Sequence, residues 1–313
     1  MTSLVTGAAG FVGSTLVARL LADGHTVRAL DSFTDYYDPS IKRANFARAT
    51  AGHEVELVED SLISADYDRL LDGVDRIYHL AGQPGVRKSW GRSFAPYVEN
   101  NVSATQVLLE KTLELRPQAR LVYASSSSVY GESSSYPCVE TQTPRPRSPY
   151  GVTKLAAEHL CSLYAENFGL STVALRFFTV YGPGQRPDMA FQRFCLAAHG
   201  GTPITIYGDG EQIRDFTFVG DIVEGLRLAG ASDSVAAGEV LNLSGGSSVS
   251  VNQVLDTLRE LADRELQVDY VEAVPGDVTR TGGSADRAYE VLDWTAKTSL
   301  RDGLAQQLRS VSG

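Results

Sequence analysis

The 313-residue chain lacks the features that mark several large classes of protein. Its three cysteines, Cys138, Cys161 and Cys195, are few, odd in number and without CxxC spacing. That excludes a disulfide framework and a cysteine zinc site, and fits reduced thiols in a cytoplasmic protein. The five histidines are scattered and no HExxH occurs, so no protein-bound metal is expected. There is no block of Lys and Arg, and the net charge is −10. An acidic chain of this kind is not expected to bind nucleic acid over a long footprint, nor a membrane through a polybasic patch. No apolar run approaches the ~20 residues of a membrane span. A glycine-rich motif starts at Thr6, so no signal peptide is expected ahead of it.

What is present is ordinary in proportion, with 43% apolar and 21% charged residues, the balance of a soluble globular protein. The length suffices for one large or two closely joined domains. Over the first half, short apolar runs alternate with helical patterns. Strands are predicted at 3–6, 26–30, 55–58, 76–80, 120–124 and 172–175, and helices at 12–24, 94–115 and 150–168. Strands alternating with helices predict an α/β fold with a doubly wound parallel sheet of Rossmann type. Past about residue 176 the pattern loosens into short strands (204–207, 240–243, 267–270) and helices (221–228, 251–261, 300–308). The expected division is a dinucleotide-binding domain over 1–175 and a smaller, irregular α/β substrate lobe over 176–313, with the chain crossing back between them. A ligand belongs in the cleft beyond the carboxyl ends of the strands.

The opening strand runs into Thr6-Gly7-Ala8-Ala9-Gly10-Phe11-Val12-Gly13. Gly7 permits a tight turn, Gly10 lets the backbone approach a pyrophosphate, and Gly13 lets the following helix pack closely on the sheet. The helix N-terminus then offers free N–H groups to the phosphates. Asp31 ends the next strand. Its carboxylate can accept hydrogen bonds from the adenosine ribose and would repel a 2′-phosphate, so NAD is favoured over NADP. Lys42 and Arg43 are the nearby cations that would argue for NADP.

Tyr150-Gly151-Val152-Thr153-Lys154 is a YxxxK pair. On a helix, positions i and i+4 share a face, so hydroxyl and ammonium can converge. A free tyrosine has a pKa near 10, and a neighbouring cation favours tyrosinate. Tyr150 could then take a proton from a sugar hydroxyl as hydride leaves. Upstream, Ser125-Ser126-Ser127-Ser128-Val129-Tyr130-Gly131 follows a predicted strand, where hydroxyls can orient a substrate.

The TGxxGxxG spacing, the YxxxK pair and the serine run resemble the extended short-chain dehydrogenase/reductases that act on nucleotide sugars. The resemblance implies catalysis by Tyr150, Lys154 and Ser126, with Ser127 the neighbouring alternative for the triad hydroxyl. It implies NAD contacts from Gly7, Gly10, Phe11, Val12, Gly13, Asp31, Lys42, Asp60, Leu80, Ala81 and Gly82, besides Tyr150 and Lys154. Dehydratases of this kind carry an Asp-Glu pair after the triad hydroxyl, and decarboxylases a glutamate just before VYG. Here Ser127 and Ser128 occupy those places, which leaves reversible hydride transfer at C4, a 4-epimerase. Three strings are similar to UDP-glucuronate 4-epimerases: 31–43, 85–89, and 176–183 with 186–190. The resemblance puts substrate contacts on Arg87, Ser126, Ser127, Ser128, Tyr150, Thr179, Arg186, Arg214 and Asp277. The chain departs from the pattern at Ser32, Lys88 and Gly184-Gln185, where the family has Asn, Tyr and Trp-Gly. The expected reaction is UDP-glucuronate to UDP-galacturonate by a homodimer paired through the helices near 94–115 and 150–168. Epimerisation of a neutral UDP-sugar, decarboxylation or dehydration, and a catalytically decayed dinucleotide sensor are the alternatives.

Overall fold

A computed structural model describes residues 1–133, 135–272 and 278–312. The strands are β1 (Thr2–Thr6), β2 (Thr26–Leu30), β3 (Glu56–Val58), β4 (Arg76–His79), β5 (Arg120–Ser126), β6 (Thr172–Phe177), β7 (Val180–Tyr181), β8 (Ile204–Tyr207), β9 (Ile213–Asp215), β10 (Thr217–Phe218), β11 (Glu239–Leu243), β12 (Ser248–Ser250) and β13 (Val268–Val271). The helices are α1 (Phe11–Ala22), α2 (Pro39–Ala49), α3 (Tyr67–Leu71), α4 (Ala95–Tyr97), α5 (Ala104–Leu115), α6 (Pro149–Phe168), α7 (Ala190–Gly200), α8 (Val219–Ala231), α9 (Val251–Ala262), α10 (Asp286–Leu292) and α11 (Leu300–Ser312). Seven strands form a parallel sheet in the order β11-β6-β5-β4-β1-β2-β3. This is the doubly wound Rossmann-type sheet that the alternating pattern predicted.

Both faces of the sheet are covered, as a parallel sheet requires. One face packs on α1, α8 and α10 through Leu16, Leu20, Ile222, Leu226 and Leu292. The other packs on α3, α5 and α6 through Leu70, Leu108, Leu109, Ala157 and Cys161. A third core, with Phe191, Phe194, Ile206, Leu255, Leu258 and Leu304, holds the smaller lobe together. That lobe does not take all of 176–313, because β11 returns to pair with β6 at the edge of the main sheet.

Register brings the strand ends to one edge. Thr6 lies opposite both Leu30 and His79, and Ser126 opposite Phe177. The loops that follow these residues therefore open onto one cleft. Helix phase is set by caps. Ser148 Oγ accepts from the Gly151 N–H at 3.1 Å and Pro149 occupies the first turn, so α6 starts where Tyr150 and Lys154 fall on its sheet-facing side. Gly169, at φ +71°, ends it.

Two elements differ from the periodicity reading. The helix expected over 94–115 is interrupted: α4 passes into a π turn over Val98–Ser103 before α5 begins. The extra residue serves Asn101, which is 1% exposed. Its Oδ1 accepts from Gln83 N at 2.6 Å, and its Nδ2 donates to Gln83 O at 3.1 Å and Thr153 Oγ1 at 3.0 Å. A π turn of this kind often sits at a working site. Helix α2 has no apolar stripe, so periodicity passes over it. The signal for it is the Asp38-Pro39 start, in which Asp38 Oδ1 accepts from Ser40 N at 2.8 Å.

Behind the cleft edge lies a buried polar cluster. Arg176 on β6 pairs with Glu158 on α6 through Nη2–Oε1 at 2.6 Å and Nε–Oε2 at 3.0 Å. Ser125 on β5 donates to Glu158 Oε2 at 2.6 Å, and Arg176 Nη1 donates to Tyr130 Oη at 2.7 Å. Tyr130 donates to Asn242 on β11 at 2.8 Å. The cluster ties four elements together beneath the cleft. On β4, His79 is fully buried between Thr6 Oγ1 at 2.8 Å and Thr105 Oγ1 at 2.9 Å. Burial, helped by the Lys154 charge, pushes its pKa down to about 3.

Two outcomes follow. Arg176→Met strands a buried carboxylate and is expected to lower unfolding free energy by about 3–5 kcal/mol. Urea denaturation measures it, and a loss under about 1 kcal/mol would remove the cluster's structural role. His79 stays neutral in the folded chain down to about pH 3, whereas the unfolded chain protonates it near pH 6.5. Between those limits the unfolded state binds the extra proton, so stability falls with acid by about 1.4 kcal/mol per pH unit from this residue. Denaturation midpoints of wild type and His79→Gln between pH 4 and 7 should converge as pH falls.

Candidate active site

Where β1 passes into α1, Gly7 and Gly13 leave no room for a side chain. A Cβ on Gly7 (φ +69°) would lie 2.7 Å from Ala81 N, and one on Gly13 2.0 Å from the Gly7 oxygen. Glycine is therefore required at both positions, and β1, α1 and the end of β4 meet backbone to backbone. Among the described residues no side chain caps α1, whose first residues face an open cavity of about 980 Å³. Gly7, Gly10, Phe11, Val12, Gly13, Asp31, Lys42, Asp60, Leu80, Ala81 and Gly82, all predicted as cofactor residues, line this one cavity.

Asp31 is held rigidly, its Oδ2 accepting from Ala9 N at 3.0 Å and its Oδ1 from Phe33 N at 2.8 Å. Lys42 Nζ donates to Thr34 O at 2.8 Å and Thr34 Oγ1 at 3.1 Å. Burial lowers its pKa, against the pull of Asp31. Arg43 turns away into a two-pronged pair with Glu59, both bonds 2.8 Å. Asp60 accepts from Ser61 N at 2.6 Å and Ser64 Oγ at 2.7 Å, so its own loop occupies one of its oxygens.

An adjoining cavity of about 1110 Å³ gathers Ser126, Ser127, Ser128, Tyr150, Lys154, Thr179 and Arg186. Lys154 Nζ donates to Ala124 O at 2.9 Å and faces the Tyr123 ring at 5.0 Å. Burial brings its pKa down to about 8. Burial raises the Tyr150 phenol, while a hydrogen bond from Ser126 and the Arg186 charge pull it back. Ser126 is thus the serine of the run that reaches Tyr150. Its Oγ also accepts from Ser128 N at 3.1 Å. The Tyr97 ring meets Tyr150 edge-on, with centroids 6.3 Å apart. Among the described residues lining this cavity there is no carboxylate and no imidazole. The set can move one proton at Tyr150 and offer several hydroxyl donors to an anion.

Arg186 lines both cavities and a third one beyond, which Arg87 also lines. Its guanidinium grips Asp188 through two 3.0 Å bonds, and Arg87 stacks on Tyr207 at 4.6 Å. Arg214 Nη1 donates to the carbonyls of Ile213 at 2.9 Å and Thr279 at 3.4 Å, and Arg214 is not among the residues lining these cavities. Asp277 lies outside the described residues. Motif reading placed Tyr36 and Tyr37 in a family-like string without giving them a role, and passed over Tyr97 and Asn101. The signals for them were the paired tyrosines at 36–37 and an Asn-Asn pair inside an otherwise amphipathic helix.

Comparison with known proteins agrees with this geometry. The family model described as GDP-mannose 4,6 dehydratase matches residues 4–307. A Bacillus subtilis (strain 168) protein named as an uncharacterized UDP-glucose epimerase is 41% identical over 100% of this chain and 98% of its own. UDP-glucuronate 4-epimerase of Thermodesulfobacterium geofontis is 33% identical over 96% and 93%. The crystal structure of UDP-glucuronic acid 4-epimerase from Bacillus cereus, in complex with UDP-glucuronic acid and NAD, superposes with a TM-score of 0.95 at 38% identity, covering 99% of both chains. A glycine loop closed against β4, a YxxxK helix and a match over nearly the whole length place the chain in the GDP-mannose 4,6-dehydratase family, among the extended short-chain dehydrogenase/reductases.

Proposed function

We propose that this protein is an NAD-dependent 4-epimerase that interconverts UDP-glucuronate and UDP-galacturonate. The observation that carries the reading is the cavity around Tyr150, which holds a phenol, an ammonium, a guanidinium and five short hydroxyls but no carboxylate or imidazole among the described residues. Dehydration needs a further proton donor and acceptor beside the reacting carbons. Returning a hydride to the opposite face of C4 needs only one group that takes and gives back a proton. The UDP-glucuronate 4-epimerases among the relatives support the same reading.

The residues fit a dinucleotide. The uncapped start of α1 suits a pyrophosphate, and Asp31, fixed by two backbone bonds, presents its carboxylate to a ribose diol. With Arg43 engaged by Glu59, Asp31 favours NAD over NADP. NAD, when bound, supplies the hydride acceptor for the oxidation and the donor for the return. Tyr150 removes the 4-hydroxyl proton and later restores it. Ser126 donates to the Tyr150 oxygen and stabilises its ionised form, while Lys154 stays cationic below about pH 8. Ser127, Ser128 and Thr179 take the uronate carboxylate by hydrogen bonds, with Arg186 as the cation beside them. The 4-keto uronate is a β-keto acid, and these hydroxyls hold its carboxylate in a plane that disfavours loss of CO₂. Arg87 and Arg214 belong to the nucleotide diphosphate. In this reading 1–175 serves the cofactor and 176–313 mainly the nucleotide sugar.

A neutral UDP-sugar is the second reading. Asp188 already occupies both prongs of Arg186, and the 41% identical relative is named for UDP-glucose. We further infer a homodimer formed along α5 and α6, since Val152, Leu163 and Phe168 of α6 are about half exposed or more, at 49%, 50% and 60%. A cytoplasmic location fits three buried, unpaired cysteines.

Incubation with UDP-glucuronate alone, without added reductant, is expected to give UDP-galacturonate and to reach the same ratio from either side by anion-exchange chromatography. Conversion of UDP-glucose instead would establish the neutral-sugar reading, and a UDP-pentose product would make the protein a decarboxylase. Tyr150→Phe is expected to lower kcat by about 10²–10⁴-fold while UDP-glucuronate still binds by calorimetry. Undiminished turnover would remove Tyr150 from the chemistry.

A further inference from the structure

Beyond the cavity that holds Tyr150, the cleft continues into a pocket lined by Arg87, Lys88, Arg193, Tyr207 and Asp188. Gly85, Val86 and Arg186 belong to both, so they mark the junction. A nucleotide sugar whose reacting ring lies at Tyr150 must pass its diphosphate through that junction. Lys88 stands two residues past Val86, on a short turn over Arg87–Ser89. The turn is fixed by Ser89, which is fully buried and donates from Oγ to Val86 O at 2.6 Å.

The Lys88 ammonium rests 4.5 Å from the centre of the Tyr36 ring. The same ring has the Arg186 guanidinium 5.7 Å away. Tyr36 is itself held, by a hydrogen bond with Tyr97 and by Gly85, where a Cβ would come within 2.0 Å of the Tyr36 oxygen. One immobilised ring therefore gathers two cations at the junction. Arg186 has Asp188 as its partner, but among the described residues Lys88 has no carboxylate within ion-pair distance, and neither has Arg193. Lys88, set beside Arg186 on one ring and with no carboxylate of its own among the described residues, makes this junction a local anion-attracting site in a chain of net charge −10. Tyrosine faces attract cations but do not neutralise them.

We propose that Lys88 is a further substrate-binding residue, whose ammonium takes the diphosphate of the nucleotide sugar at this junction. The inference rests on the nucleotide-sugar reading above and adds to it a ligand for the diphosphate. A point charge on a flexible stem suits a phosphate oxygen that shifts as the sugar ring turns over.

Calorimetric titration of the NAD-loaded protein with UDP, uridine and UDP-glucuronate tests it. In Lys88→Met, UDP and UDP-glucuronate are expected to weaken together by about 10-fold, the size of one charge-assisted hydrogen bond. Uridine should stay within about twofold, and Lys88→Arg should recover most of the loss. Unchanged UDP affinity would overturn the assignment. So would an equal loss for uridine, which indicates damaged packing, or a loss confined to UDP-glucuronate, which makes Lys88 a reader of the carboxylate. Wild-type protein that binds neither UDP nor UDP-glucuronate would instead bring down the nucleotide-sugar reading itself, a result visible before any variant is made.

Discussion

Backbone meets backbone where β1, α1 and β4 come together, and the Gly7 oxygen lies where a Cβ on residue 13 would need to be. That contact sets the distance from α1 to the sheet and aims its uncapped N-terminus into the cleft. From it follow the position of Asp31, anchored to Ala9 N in the same loop, and the walls that Leu80, Ala81 and Gly82 contribute. Any side chain at position 7 or 13 would move the helix or the strand end, and the cavity with it.

Charge is handled differently on the two sides of the cleft edge. Behind it, Glu158 and Arg176 neutralise each other, and Ser125 and Tyr130 satisfy further atoms of the pair. Such a cluster contributes order more than net stability, because desolvation offsets most of its attraction. At the edge, Lys154 and Lys42 are buried and held by carbonyl or hydroxyl oxygens, with no carboxylate among the described residues bonded to either ammonium. Burial without a bonded counter-ion depresses both pKa values.

The chemistry read for the protein depends as much on hydroxyls as on charges. Ser126 is carried on the last residue of β5, with Ser127 and Ser128 on the turn beyond and Thr179 after β6. Register between β5 and β6 places these loops side by side. Hydroxyls can bind a carboxylate and orient a sugar without supplying the acid or base that elimination demands.

Local chemistry determined a large part of this protein directly from sequence. Glycine alone tolerates the turn at position 7 and the close approach at 13, and i, i+4 spacing alone puts Tyr150 and Lys154 on one face, so these were legible without a fold. The alternation of strands and helices was legible for the same local reason. Distant pairings were not. That Arg43 is drawn off by Glu59, and that Asn101 bends its helix to reach Gln83 and Thr153, depend on which atoms the fold brings within 3 Å. So does the contact of Ser126 with Tyr150, since adjacent strand and turn residues point to different places. Burial, with the charge of a neighbouring group, sets the pKa of His79 and Lys154, and both are properties of the assembled tertiary structure, because desolvation exists only once the surrounding chain has excluded water.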